Sequence, residues 1–134
     1  MPGIRVLLEE NGLPTSDLSV DVIQDFLVAV DDVKLLGVVG LEHYAEYALL
    51  RSLAVHAHFR SHGLGTTLLE AIERHAIAQG VKELYALTLT AETYLVRHGY
   101  RVIDRAVVPS VIFQTAEFRT LCPDSAICLR KTLQ

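Results

Sequence analysis

One segment constrains this chain more than any other: Leu53-Ala54-Val55-His56-Ala57-His58-Phe59-Arg60-Ser61-His62-Gly63-Leu64-Gly65-Thr66. It runs from the end of an apolar strand-like stretch through a loop into the start of a helix. The helix announces itself by Leu64, Leu68, Ile72 and Ala76, which recur on one stripe until Gly80 provides a stop. A helix start presents N–H groups without helical partners and the positive end of the helix dipole, and Gly63 and Gly65 let the backbone close on an anion. The segment therefore predicts a site for phosphate oxygens. Two nucleotide fingerprints do not fit it, since it has neither a Gly-Lys-Ser/Thr ending nor a three-glycine pattern.

The surrounding order is that of alternating elements. Residues 26–30 and 35–41 read as apolar strands joined by a turn at Asp31-Asp32, followed by a third strand over 48–55 that Arg51 interrupts. Beyond the helix come a strand over 83–89, a short helix over 91–98 ended by Gly99, and a strand over 100–103. After Pro109 a helical segment runs to about Phe118, and 126–133 reads as a last strand. Ahead of all this, residues 4–11 have helical spacing and stop at Asn11-Gly12, and a second short helix is expected near Asp17. With 134 residues of which 51% are hydrophobic, one domain over 1–134 is expected.

Arg60-Ser61-His62-Gly63-Leu64-Gly65 resembles the Arg/Gln-x-x-Gly-x-Gly/Ala signature of the GNAT superfamily of N-acetyltransferases, and Leu53-Ala54-Val55 resembles that family's coenzyme A strand. The resemblance covers residues 26–133. It implies an α/β (α+β) GNAT fold: a mixed central sheet splayed at the coenzyme A strand, helices on both faces, and acetyl-coenzyme A lying in the opening as co-substrate. It further implies that Leu53, Ala54 and Val55 line the pantetheine arm. Arg60, Ser61, His62, Gly63, Leu64, Gly65, Thr66 and Thr67 would then hold the pyrophosphate. Family members usually open with a strand, whereas helix-like sequence begins here almost at Met1, so the first edge strand is expected to be missing. A bare sheet edge invites a second subunit, hence an expected homodimer.

Residues 84–100, Arg51-Ser52-Leu53-Ala54-Val55 and the tail Leu121-Cys122-Pro123-Asp124-Ser125-Ala126 resemble the arsenic-resistance-associated branch of the superfamily, itself similar to the glutamate N-acetyltransferase domain. What this implies is acetylation of the amino group of a small amino acid, glutamate-like or arsenic-containing. The rival reading is an acyl-coenzyme A sensor or interaction module without turnover, and a departure from the family motivates it. Where many members carry a glutamate base stands Leu49. Where they carry an acid tyrosine stands Leu95, with Tyr94 one step away, about 100° around a helix.

Two candidates fill the gap. Glu42, at the hairpin end, is either a proton acceptor working through a water or a solvated carboxylate, and Tyr94 is a candidate acid. Arg51 shares a face with Leu49, Leu53 and Val55 if strand alternation is unbroken. It either forks onto a substrate carboxylate or forms an internal ion pair with Glu42, Glu46 or Glu92. Thr88 and Thr90, in a strand-to-helix turn, either contact substrate or satisfy cap positions. Tyr44 and Tyr47 either line the substrate cleft or cover the sheet.

Charge and composition narrow the partners. A net charge of −4 gives no general reason to bind nucleic acid or an anionic membrane. No apolar run approaches the ~20 residues of a membrane span, and only Cys122 and Cys128 occur, which fits a soluble protein of the reducing cytoplasm. The histidines at 43, 56, 58, 62, 75 and 98 are scattered without ligand spacing, so no metal is expected.

Overall fold

The computed structural model describes residues 4, 8, 26–31, 34–55, 63–89, 91–115, 118 and 125–133. They form a six-stranded sheet in the order β1-β2-β3-β4-β6-β5. The strands are β1 (Leu27–Asp31), β2 (Lys34–Tyr44), β3 (Tyr47–Val55), β4 (Glu83–Thr88), β5 (Arg101–Val102) and β6 (Ile127–Thr132). All neighbours are antiparallel except β3 and β4, which run parallel because the helix α1 (Leu64–Ala78) carries the chain back between them. The α2 helix (Glu92–Arg97) follows β4, and α3 (Ser110–Phe113) follows a single 3₁₀ turn, Arg105–Val107.

The sheet is covered on both faces, and the period-2 alternation of its strands sorts the core in two. Val39, Leu41, Ala48, Leu50, Leu84 and Leu129 pack with Leu68, Leu69, Ile72 and Ala76 of α1. Leu49, Tyr85 and Cys128 point the other way, toward Val108, Ile112 and Phe118. Gly37 allows α1 its close approach, for a Cβ there would stand 2.8 Å from Leu68 Cδ1. The apolar stripe read from the sequence is thus the buried face of α1.

Most differences from the sequence reading concern ends of elements. The β2 strand continues through the polar residues Glu42 and His43 to a turn at Ala45-Glu46, because its ladder with β3 holds as far as Tyr44↔Tyr47. Strand β5 has two residues rather than four, and the α-helix after Pro109 runs over Ser110–Phe113. Among the described residues no strand precedes Leu27; Ile4 and Leu8 are helical, and Leu8 is fully buried.

One difference matters for the site. Val38 pairs with Ala54 but Gly40 pairs with Arg51, so β3 spends one residue more than β2 between these points. This is a β-bulge, and Ser52 takes φ +62° to make it, a strained conformation for a residue with a Cβ. The bulge breaks alternation: Arg51 stays on the side of Leu49, while Leu53 packs with the α1-facing core. The expectation that Arg51 and Leu53 share a face is corrected accordingly.

Candidate active site

Parallel pairing between β3 and β4 covers only Tyr47↔Glu83, Ala48↔Leu84 and Leu49↔Tyr85. Both strands continue, β3 to Val55 against β2 and β4 to Thr88 against β6, with no ladder between them. Beyond Leu49 the sheet is split, and the edge of β3 facing β4 makes no ladder with it. The bulge at Ser52 lies on this stretch, so the backbone of Leu53 and Ala54 is turned relative to the paired half of the strand.

The helix after β3 starts at the same end of the split. Its N-cap is Gly63 in the left-handed region, φ +77°, with no side-chain cap. The first helical bond is Thr67 N–H to the Gly63 carbonyl at 3.0 Å, so the amides of Leu64, Gly65 and Thr66 have no helical acceptor. No acidic residue stands in the first turn to compete for them. Among the described residues a Cβ on Gly63 would meet nothing within 4 Å, so glycine serves the backbone conformation here. Thr67 is occupied, its hydroxyl donating to the Gly63 carbonyl at 3.0 Å. Arg60, Ser61 and His62 lie outside the described residues, as does Thr90.

On the opposite face stands a polar set. The Arg51 side chain has 0% exposure, and its Nη1 donates to Glu42 Oε2 at 2.7 Å. Its Nε donates to Ser52 Oγ at 3.1 Å. The other Glu42 oxygen accepts from the Tyr44 hydroxyl at 2.8 Å, leaving the carboxylate side chain 11% exposed. Of the two readings open for Arg51, the structure places it in the internal pair. Glu42 is correspondingly an oriented, nearly buried carboxylate rather than a solvated one. The signal for this pairing was in the sequence: a cation inside an apolar strand demands a partner, and a tight turn at Ala45-Glu46 brings Glu42 beside it.

Tyr94 lies on the α1 side. Its hydroxyl is 3.1 Å from Thr66 Oγ1, and its ring meets that of His98 at a tilt of 50° with centroids 4.6 Å apart. An acid role would require Thr66 to be the donor of this contact, which leaves the Tyr94 proton free to be given up. Leu95, in the family's tyrosine position, is buried in the α1-facing core. Thr88 Oγ1 accepts the Ala91 N–H at 2.8 Å, the capping alternative of its two readings. Tyr47 meets Tyr85 edge-on, centroids 6.3 Å apart, at the paired end of β3 and β4. Burial pushes the Tyr85 hydroxyl up to about 12 and the Cys128 thiol up to about 11, which keeps both neutral in the core they share with Leu49. Among the described residues there is no group of metal-ligating side chains, and no helix is long and apolar enough to cross a membrane.

A mixed sheet split between two parallel strands, with a glycine-capped helix start at the split, defines the class: an α/β fold built around a slot for an extended anionic ligand. The sequence model of the Acetyltransferase (GNAT) family matches residues 9–101, and the chain belongs to that family. It is 34% identical over 107 residues to an uncharacterised N-acetyltransferase of Chlorobaculum tepidum, covering 79% of this chain and 66% of that one. To an amino-acid acetyltransferase of Mannheimia succiniciproducens it is 28% identical over 118 residues, 81% of this chain and 27% of the relative. The chain thus spans only part of the curated relatives it matches. Among solved structures, the N-acetylglutamate synthase of Neisseria gonorrhoeae complexed with coenzyme A and N-acetyl-glutamate superposes with a TM-score of 0.85 at 22% identity, over 100% of this chain and 33% of that one.

Proposed function

We propose that this chain is an acetyl-coenzyme A-dependent N-acetyltransferase acting on the amino group of a small amino acid. The observation that carries the reading is the split beyond Leu49↔Tyr85 ending at the open amides of α1. An extended arm fits along the unpaired edge of Leu53, Ala54 and Val55. A diphosphate fits the start of α1, where the amides of Leu64, Gly65 and Thr66 follow Gly63 without helical acceptors and the first turn carries no acidic residue. Arg60, Ser61 and His62, next to this turn in sequence, complete the cradle in this reading.

The bound co-substrate supplies an activated acetyl thioester. The acceptor nitrogen forms the new bond to the carbonyl carbon, the carbon–sulfur bond breaks, and the amine gives up a proton while the departing thiolate takes one. The protein's part is to place the amine and receive its proton. Glu42 is the residue we assign to the amine, working directly or through one water. Arg51 and Tyr44 fix the rotamer of its carboxylate, so Arg51 acts as a positioning residue in this scheme. The acceptor we propose is glutamate-like, with an arsenic-containing amino acid second. The support is the resemblance of residues 84–100 and of the tail, and the amino-acid acetyltransferase among the relatives.

The test is release of free thiol from acetyl-coenzyme A in the presence of a panel of amino acids, including glutamate, other acidic amino acids and arsenic-containing analogues. Release with one class of acceptor, and acetylated product by mass spectrometry, is the expected outcome. If coenzyme A binds but no amine gives turnover, the chain is a binding module. If calorimetry detects no coenzyme A binding, the whole reading fails.

A further inference from the structure

We infer that Tyr94 and Thr66 form a latch that sets the width of the split, and that they act as positioning residues for the cofactor. The inference rests on the acetyltransferase reading and adds to it a device that the fold requires. Past Leu49 and Tyr85 no backbone ladder fixes the distance between β3 and β4. The helices that succeed these two strands, together with the core both strands share, therefore hold the opening at its width. The α1 helix comes after β3, and α2 after β4. Between these helices runs the Thr66 Oγ1···Tyr94 hydroxyl contact at 3.1 Å, across 28 residues of sequence.

Both partners are held for the task. Thr66 sits in the first turn of α1, beside the open amides, so any shift of α1 relative to α2 shifts those amides too. Tyr94 is half-buried against the α1-facing core, and its ring lies against that of His98, one turn further along the chain, at a tilt of 50°. Below it Leu95 is buried in the same core. A hydroxyl so anchored midway along α2 meets the helix start that carries the cradle. Either oxygen can donate, so the contact persists whichever hydroxyl turns.

Coenzyme A titrations of the full chain test this, with Tyr94→Phe, Thr66→Val and the double variant. Each substitution keeps the shape and removes one hydroxyl. The latch predicts that each single variant weakens coenzyme A about 3–10-fold, the range for one net hydrogen bond. The double variant should bind no more weakly than the weaker single one, because the second change removes nothing further. The KM for acetyl-coenzyme A should rise by the same factor, and the KM for the amine should not. Three results overturn the latch: unchanged affinity in Tyr94→Phe, additive losses in the double variant, or a lowered melting temperature with affinity intact. Loss in Thr66→Val alone would mean that this hydroxyl meets the phosphate directly. Absence of binding by the unmodified protein overturns the acetyltransferase reading itself, and that is seen before any variant is made.

Discussion

Glu42 and Glu73 are dressed alike. Each carboxylate accepts from one cation and one tyrosine: Glu42 from Arg51 at 2.7 Å and Tyr44 at 2.8 Å, Glu73 from Lys131 at 3.0 Å and Tyr100 at 2.8 Å. Their partners differ in reach. Those of Glu73 lie 58 and 27 residues away, and Lys131 also donates to the His98 carbonyl at 2.8 Å. That set joins α1 to β6 and to the turn after α2. Those of Glu42 lie nine and two residues away, inside a hairpin whose backbone ladder already holds it together. A clasp between distant elements explains itself by cohesion. A buried ion pair within one hairpin does not, since desolvating two charges costs about as much as their attraction returns. The Glu42 set is therefore the one whose presence asks for a chemical reason.

The comparison can be broken by removing a cation from each set. Arg51→Ala leaves the Glu42 carboxylate buried beside a cavity and should cost about 3–5 kcal/mol, read by chemical denaturation. Arg51→Met with Glu42→Leu should recover most of that loss while leaving no activity. If the double variant is both stable and active, the pair is structural and the contrast with Glu73 disappears.

Glu42→Gln is the next largest effect. It keeps the shape and a hydrogen-bonding oxygen but cannot accept a proton, so kcat for the amine should fall about 100-fold, the low end for general base catalysis. Coenzyme A affinity should be unchanged. Equal activity in Glu42→Gln would move the proton to solvent and return Glu42 to a structural part.

Lys131→Met on the other set should cost about 1–2 kcal/mol, because Glu73 keeps Tyr100 and the lysine side chain is already 25% exposed. The melting temperature should fall, and the KM for the amine should not move. A change in that KM would show that the clasp on α1 reaches the acceptor site, which the comparison denies.

How far these sets were legible in the sequence depends on the same contrast. The α1 helix was plain because 3.6-residue spacing and glycine punctuation are local signals. The hairpin pair was half legible: Arg51 inside an apolar strand called for an acid, and Glu42 was among three candidates, but choosing among them needs the register. The bulge was not legible, since Ser52 at φ +62° has no compositional mark and glycine is the usual residue there. Nor was the clasp, for Glu73 sits off the apolar stripe of α1 and reads as a solvated charge. Its partners come from β6 and from the end of the turn after α2, and only the folded sheet brings them together. The split between β3 and β4 came from the resemblance alone, because no residue in either strand marks where pairing stops.

The smallest effect at neutral pH grows in alkali and separates the two sets again. Burial raises the Tyr100 hydroxyl well above its ordinary range, with Glu73 adding to the shift. It also raises Tyr85 from 10.0 to about 12 and Cys128 from 9.0 to about 11. In each case the folded state holds the proton more tightly than the unfolded chain does. Stability is therefore level below about pH 9 and declines above it, as the unfolded chain gains by ionising first. Denaturation midpoints from pH 8 to pH 11 should trace this fall. Tyr100→Phe lowers stability at pH 8 by losing the bond to Glu73, yet should flatten the decline above pH 10, so the two curves approach one another. Parallel curves would mean that the Tyr100 proton is not held by the fold, and that the clasp on Glu73 is looser than its 2.8 Å contact indicates.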